Sequence, residues 1–133
     1  MTAIFADTSF FVAFLSSTDQ YHAAAHDQFA HYEGRIVTTQ WVLTEVANYF
    51  ASSSKRAAAG EFIQKLNADS RFSVVPAVAN DFSEGLLLYG QRVDKQWSLT
   101  DCISILTMRH QQIVEALTAD HHFEQAGFTA LLK

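Results

Sequence analysis

The sequence predicts an α/β fold, a three-layer α/β/α sandwich around a central parallel sheet of four to five strands. Three observations predict it. Short runs such as residues 4–6 and 35–39 are nearly continuous in apolar and β-branched residues, as strands covered on both faces are. These runs alternate with helix-length stretches along the whole chain, which implies parallel strands joined by right-handed crossovers. Two of the runs end in an acid, Ala6 before Asp7 and Ala119 before Asp120, and open parallel sheets bind ligands beyond the carboxyl ends of their strands.

The first strand and turn, residues 4–9, set the pattern for the rest. Phe10 to Leu15 is apolar all round and reads as a short helix that is either wholly buried or part of an interface. Ser16 to Asp19 breaks it, and a helix over residues 20–32 follows. His22 and His26 lie four apart on that helix, but Ala23 stands where a zinc-binding His-Glu-x-x-His helix needs Glu, so a partly exposed face is expected. Gly34 ends the helix, residues 35–39 form the second strand, and Thr38 or Thr39 caps a helix over 40–52.

Glu45 lies in the middle of that helix, with Trp41, Val42, Asn48 and Tyr49 three and four residues away. The apolar neighbours point Glu45 inward, where a lone carboxylate is costly. The competing reading is an exposed stripe with Asn48 and Ser52, and the helix by itself does not choose between them. A polar break over residues 52–56 precedes an amphipathic helix over 57–68. The third strand, 72–75, is stopped by Pro76, and a helix over 78–92 carries Phe82, Leu86 and Tyr89 on one face. A connection over 93–97 leads to Ser98-Leu99-Thr100-Asp101, which opens a helix to His110. The fourth strand is expected over 113–119, a turn or short helix over 121–126, and a last strand over 128–131.

At 133 residues the chain fits a single domain, residues 1–133, and its 49% hydrophobic content is ample for a core. No apolar run approaches the roughly 20 residues of a membrane-spanning helix, and the start lacks the basic region of a signal peptide, so no membrane and a cytoplasmic location are expected. The single Cys102 suits a reducing compartment. A net charge of −5 does not advertise nucleic-acid binding, so any such contact must be local, through a metal and a few basic side chains. Lys55-Arg56 and Arg92 with Lys95 are the candidates, although solvated surface charge is the simpler account of them.

Each of the strand-end and helix-start acids has a local explanation. Ser98-Leu99-Thr100-Asp101 matches a capping box, and Asp7 and Asp120 stand where helix caps belong. The four acids Asp7, Glu45, Asp101 and Asp120 are better explained together. In a doubly wound sheet the ends of strands one and four can be neighbours, and the starts of helices that follow strands open on the same edge. Four carboxylates gathered there would repel without a counter-ion, and an oxygen-rich set suits Mg²⁺ or Mn²⁺. Thr8, Ser9 and Thr100 could support the acids by hydrogen bonds. Such a centre favours phosphodiester hydrolysis without a dedicated base. His121 and His122 follow Asp120, and a supporting or structural role is the simpler reading of both.

The motifs Ala6-Asp7-Thr8-Ser9, Val42-Leu43-Thr44-Glu45-Val46-Ala47-Asn48, Ser98-Leu99-Thr100-Asp101-Cys102 and the stretch from Leu117 to Phe128 give the chain a resemblance to a known family. In this order and spacing they resemble the PIN-domain family, and within it the VapC-like ribonuclease toxins of toxin–antitoxin pairs. The resemblance runs nearly end to end. It places the family's acidic site on Asp7, Glu45, Asp101 and Asp120, with Thr8 or Ser9 as the supporting hydroxyl. It implies an Mg²⁺- or Mn²⁺-dependent endoribonuclease acting on RNA, a homodimer, and an antitoxin protein that restrains it. Two other readings compete. One is an aspartyl-nucleophile phosphatase, although position 9 is Ser where such enzymes commonly carry a second Asp. The other is a non-catalytic module that binds RNA or protein. The all-apolar helix of Phe10, Phe11, Phe14 and Leu15 is expected to lie at or near a subunit interface.

Overall fold

In the computed structural model, which describes residues 2–133, five strands form one parallel sheet in the order β3-β2-β1-β4-β5. The strands are β1 (Ala3–Ala6), β2 (Arg35–Thr39), β3 (Phe72–Val75), β4 (Glu115–Leu117) and β5 (Thr129–Ala130). Seven helices connect them: α1 (Thr8–Leu15), α2 (His22–His31), α3 (Gln40–Tyr49), α4 (Arg56–Leu66), α5 (Ala79–Gln91), α6 (Leu99–His110) and α7 (His121–Gln125). The architecture is the expected three-layer α/β/α sandwich. The chain leaves β1 in one direction through β2 and β3, then returns to β1's other side through β4 and β5. A reversal of strand order opens a crevice at the carboxyl edge of the sheet. Here it falls between β1 and β4, paired through Phe5–Ala116 and Ala6–Leu117.

The core explains why the strands carry no polar face. Ile4, Phe5, Ala6, Ile36, Val37, Ala116 and Leu117 are all buried. Thr38 is buried too, and its hydroxyl donates to the Ala6 carbonyl at 2.9 Å. Thr39 caps α3 by accepting from the Val42 N–H at 3.1 Å. That cap fixes where α3 begins, and so where Glu45 stands.

The first helix begins at Thr8, directly behind Asp7, as expected of a helix with Asp7 at its cap position. Two details differ from the sequence reading. The fourth strand begins at Glu115 rather than residue 113. There Gln112 takes φ 57° and the Ile113 N–H folds back onto the Met108 carbonyl, closing α6 with a turn that delays the strand. The second concerns α1, for which the buried alternative holds in place of the interface one. Phe10 and Phe11 are fully buried inside their own chain, and Phe14 packs on Phe29 at 5.0 Å and Phe62 at 5.4 Å between ring centroids. The apolarity of α1 is spent within the subunit.

The exposed apolar surface lies instead along α5, where Val78, Phe82, Leu86, Tyr89 and Val93 recur at helical spacing and remain open. The neighbouring side of α5, with the buried Gly85, lies against α6, and a methyl group at Gly85 would collide with the Ile103 side chain. Among the described residues no helix is long and apolar enough to cross a membrane.

Candidate active site

The four acids meet. Asp7 follows β1, Asp120 follows β4, Glu45 lies on α3 and Asp101 in the first turn of α6. All four line one open cavity of about 370 Å³, together with Thr8, Ser9, Asp19 and Tyr21. A larger hollow of about 740 Å³ between the end of α5 and Trp97 has no carboxylate in its wall. Chemistry, rather than size, singles out the smaller one.

Each acid is held differently. Asp7 is 3% exposed and stands at the cap position of α1, yet its side chain makes no cap bond. Its Oδ2 accepts from the Thr118 hydroxyl at 3.2 Å and from Ser9 Oγ at 3.4 Å. Its Oδ1 is buried with no partner among the described residues, a costly condition for a carboxylate. Burial first, and the Asp101 charge second, push its carboxyl from 3.8 up to about 7.

Asp101 forms the anticipated capping box. Its backbone N–H donates to Ser98 Oγ, and its Oδ2 accepts from the Ser98 N–H, both at 3.0 Å. Burial also raises the Asp101 carboxyl, which the Ser98 N–H opposes and the Asp120 charge reinforces. Asp120 caps α7, its Oδ1 accepting from the His122 N–H at 2.9 Å. Glu45 is half-buried, in contact with the cavity rather than sealed in the core or free in solvent.

Of the three supporting hydroxyls expected from the sequence, Ser9 and Thr8 line the cavity and Thr100 does not. Ser9 Oγ also meets Thr118 Oγ1 at 2.9 Å and accepts from the Ala119 N–H at 3.2 Å, lashing the end of β1 to the end of β4. Thr8 Oγ1 is buried without a partner. Thr118, Asp19 and Tyr21 were not singled out by sequence. Thr118 had a readable signal, since it precedes Asp120 by two residues as a polar position at the end of an otherwise apolar strand. Asp19 and Tyr21 sit in the break after α1, and nothing in their spacing marks them. His122 was noted only as a neighbour of Asp120. Its Nδ1 lies 3.0 Å from Asp101 Oδ2 and 3.2 Å from Asp120 Oδ1.

The donor set fits a hard divalent cation. The cavity gathers carboxylate and hydroxyl oxygens, leaves Asp7 Oδ1 and Thr8 Oγ1 unsatisfied, and raises two of its acids through burial and then through the neighbouring carboxylates. Asp120, His121 and His122 can also bring one ligand atom each within 4.8 Å of one another, a mixed set at the rim of the same cavity.

The comparisons with known proteins agree with this architecture. A family model described as PIN domain matches residues 4–129. No curated protein matches the sequence. Among solved structures, the Mycobacterium tuberculosis toxin VapC20, described as cleaving the sarcin–ricin loop, superposes with a TM-score of 0.86 at 24% identity, over 95% of this chain and 96% of that one. FitAcB from Neisseria gonorrhoeae gives a TM-score of 0.66 at 12% identity, covering 96% and 95%. A toxin–antitoxin complex from Klebsiella pneumoniae gives 0.62 at 13% identity, covering 89% and 87%. At these identities the likeness is one of fold.

Proposed function

The chain belongs to the PIN-domain family, and from that premise we propose that it is a metal-dependent endoribonuclease, the toxin of a toxin–antitoxin pair. The observation that carries the proposal is the convergence of Asp7, Glu45, Asp101 and Asp120 from four separate elements on one cavity at the sheet's carboxyl edge. These four would hold Mg²⁺ or Mn²⁺. Bound there, the cation supplies Lewis acidity, lowering the pKa of a water and neutralising charge on the phosphate oxygens.

The chain's own groups do the rest. Ser9 and Thr118 fix the Asp7 carboxylate by its Oδ2 and leave Oδ1 uncommitted. The Ser98 capping box fixes Asp101 by its Oδ2, and the start of α7 fixes Asp120 by its Oδ1. In these three acids, then, one oxygen is tied to the frame and the other makes no hydrogen bond among the described residues. That division suits ligands that must not move when a substrate arrives. The cavity is open to solvent, and the structural likeness to a toxin described as cleaving the sarcin–ricin loop supports RNA as the substrate. A cognate antitoxin covering this cavity would restrain the enzyme, as the likeness to a toxin–antitoxin complex supports. Cytoplasmic RNA is the expected target, in keeping with the free, buried Cys102.

A homodimer through α5 is part of the same reading. The exposed stripe from Val78 to Val93 has Asp81 and Glu84 toward one end, and at the other Arg92 and Lys95, which share Asp94 as a partner and leave that end with a net positive charge. Antiparallel pairing of two copies would set unlike charges against each other. Leu86→Glu should then convert a dimer into a monomer in analytical ultracentrifugation, while a wild-type chain that sediments as a monomer would remove this part of the reading.

The activity is tested by incubating the purified chain with RNA in Mg²⁺, Mn²⁺ or chelator. Cleavage should need the metal and should vanish in Asp101→Asn. An activity that persists in chelator, or survives that substitution, would rule out the nuclease reading.

A further inference from the structure

One residue outside the four acids joins two of them. His122 stands at the second position of α7, its side chain 17% exposed. Its Nδ1 is 3.0 Å from Asp101 Oδ2, and its backbone N–H donates to Asp120 Oδ1 at 2.9 Å. An ionised carboxylate oxygen only accepts hydrogen bonds, so Nδ1 carries the proton toward Asp101, and the two donors of one residue reach acceptors on two different elements.

We propose that His122 is a positioning residue of the cation site, whose two donors, Nδ1–H to Asp101 and backbone N–H to Asp120, set the separation of those acids. The inference rests on the metal-dependent nuclease reading and names a part of the site that the four acids leave out. Its logic is in the oxygens. Asp101 Oδ2 is already tied to the Ser98 N–H, and Asp120 Oδ1 to the His122 N–H. The His122 ring adds a second donor to Asp101 Oδ2 while its own backbone N–H holds Asp120 Oδ1, so the residue links α6 to α7 without consuming the remaining Asp101 Oδ1 or Asp120 Oδ2. Two like-charged side chains at the starts of separate helices would otherwise swing apart, and each would lose orientation as a ligand. An imidazole N–H opposes this without the fixed positive charge of a lysine, which would compete with the cation for the same carboxylates. Donors that hold a metal's carboxylate ligands in place are common parts of such centres, and their removal costs about 10–100-fold in affinity or activity.

His121 does not share the arrangement. It is 63% exposed on the side chain, and its Nδ1 approaches Asp120 Oδ1 only to 3.6 Å. The competing arrangement is one in which Asp120, His121 and His122 themselves grip the cation. It would require the His122 ring to act as a ligand rather than as a hydrogen-bond donor.

The test is Mn²⁺ binding to the full chain, followed by electron paramagnetic resonance of the free ion, with thermal melts in chelator as the check of folding. Leu at position 122 keeps bulk and removes the donor, while Asn places an amide N–H near the position of Nδ1. We expect Mn²⁺ to bind about 10–100-fold more weakly to His122→Leu. His122→Asn should keep most of the wild-type affinity, and His121→Leu should bind as wild type. In cleavage assays the His122→Leu deficit should be greatest at low Mn²⁺ and shrink as Mn²⁺ saturates. Wild-type affinity in His122→Leu would overturn the proposal. So would an Asn variant as weak as the Leu variant, since that outcome makes the ring a ligand, and so would an equal loss in His121→Leu. If His122→Leu fails to melt cooperatively, the Asn variant decides alone by the same criterion. A wild-type chain that binds no Mn²⁺ would overturn the nuclease reading along with this one, an outcome distinct from failure in the variants only.

Discussion

Asp7 and Asp120 end neighbouring strands on one rim, and the fold treats them in opposite ways. Asp120 is half-exposed and caps α7, so its carboxylate stabilises a local structure. Asp7 occupies a cap position without capping, is buried, and leaves one oxygen with no partner. Its carboxyl rises to about 7 for lack of solvent and under the Asp101 charge. An acid that completes a local motif can be accounted for by folding alone. One that is buried, caps nothing and is half satisfied works against folding, and its presence needs a reason outside the fold. Asp7 is the stronger mark of function on this rim, although Asp120 is the more conspicuous acid.

The sharpest way to break that contrast is to neutralise each acid. Asp7→Asn and Asp120→Asn should both lose cleavage, by roughly a thousand-fold if each removes several kcal/mol of charge stabilisation at the reacting phosphate. Their metal-free stabilities should diverge. At pH 8 Asp7→Asn removes a buried charge and should raise the unfolding free energy by about 1–3 kcal/mol. Asp120→Ala removes a cap and should lower it by about 1 kcal/mol. Urea unfolding in chelator reads both, and a destabilised Asp7→Asn would end the contrast.

The pH dependence follows from the same residue. The Asp7 carboxyl is raised from 3.8 to about 7 on folding, so between those values the folded chain holds a proton that the unfolded chain releases. Its contribution to stability is therefore present in acid and is lost as pH rises through about 7. Asp101, raised as well, acts in the same direction. The metal-free chain should lose stability from about pH 4 to pH 7, and Asp7→Asn should flatten that slope. Mn²⁺ binding must expel the Asp7 proton, so its apparent affinity should fall by up to about tenfold per unit below pH 7. Melting curves with and without Mn²⁺ between pH 5 and 8 measure both. An affinity independent of pH would mean that Asp7 is already ionised without the metal.

How much of this was legible in the sequence depends on whether the information is local. The position of Asp7 directly after β1, the Thr39 cap and the Ser98–Asp101 capping box are all set by neighbours within a few residues, and the structure shows them where the pattern placed them, while Asp120 caps α7 three residues beyond the end of β4. The convergence of the acids followed from topology, since β1 pairs with β4 at the point where strand order reverses. What periodicity does not encode is which apolar face is covered by the chain's own residues. The helix of Phe10 and Phe11 reads as the surface in need of a partner, and the helix of Phe82 and Leu86 only as carrying an apolar face, yet the phenylalanines of α2, α4 and β3 cover the first, and the second stays open. The His122 bridge was equally hidden, because it joins residues 21 apart whose orientation depends on how α7 docks beside α6.

The smallest expected effect tests whether the two acids are independent at all. Thr118 is fully buried between them: its hydroxyl donates to Asp7 Oδ2 at 3.2 Å, and its oxygen accepts from the Asp120 N–H at 3.0 Å. Thr118→Val keeps the shape and deletes both bonds. Ser9 Oγ remains beside Asp7 Oδ2, so the acid is not stripped of donors, and the loss in stability should be about 1 kcal/mol. The Thr118 hydroxyl holds the Asp7 carboxyl down against its burial, so removing it should move the pH at which Mn²⁺ affinity falls to a higher value. Thr118→Ser restores the hydroxyl and should restore both properties. If Thr118→Val shifts the pH dependence without weakening the start of α7, the two acids answer to separate supports. If both change together, a single hydroxyl couples the buried acid to the capping one.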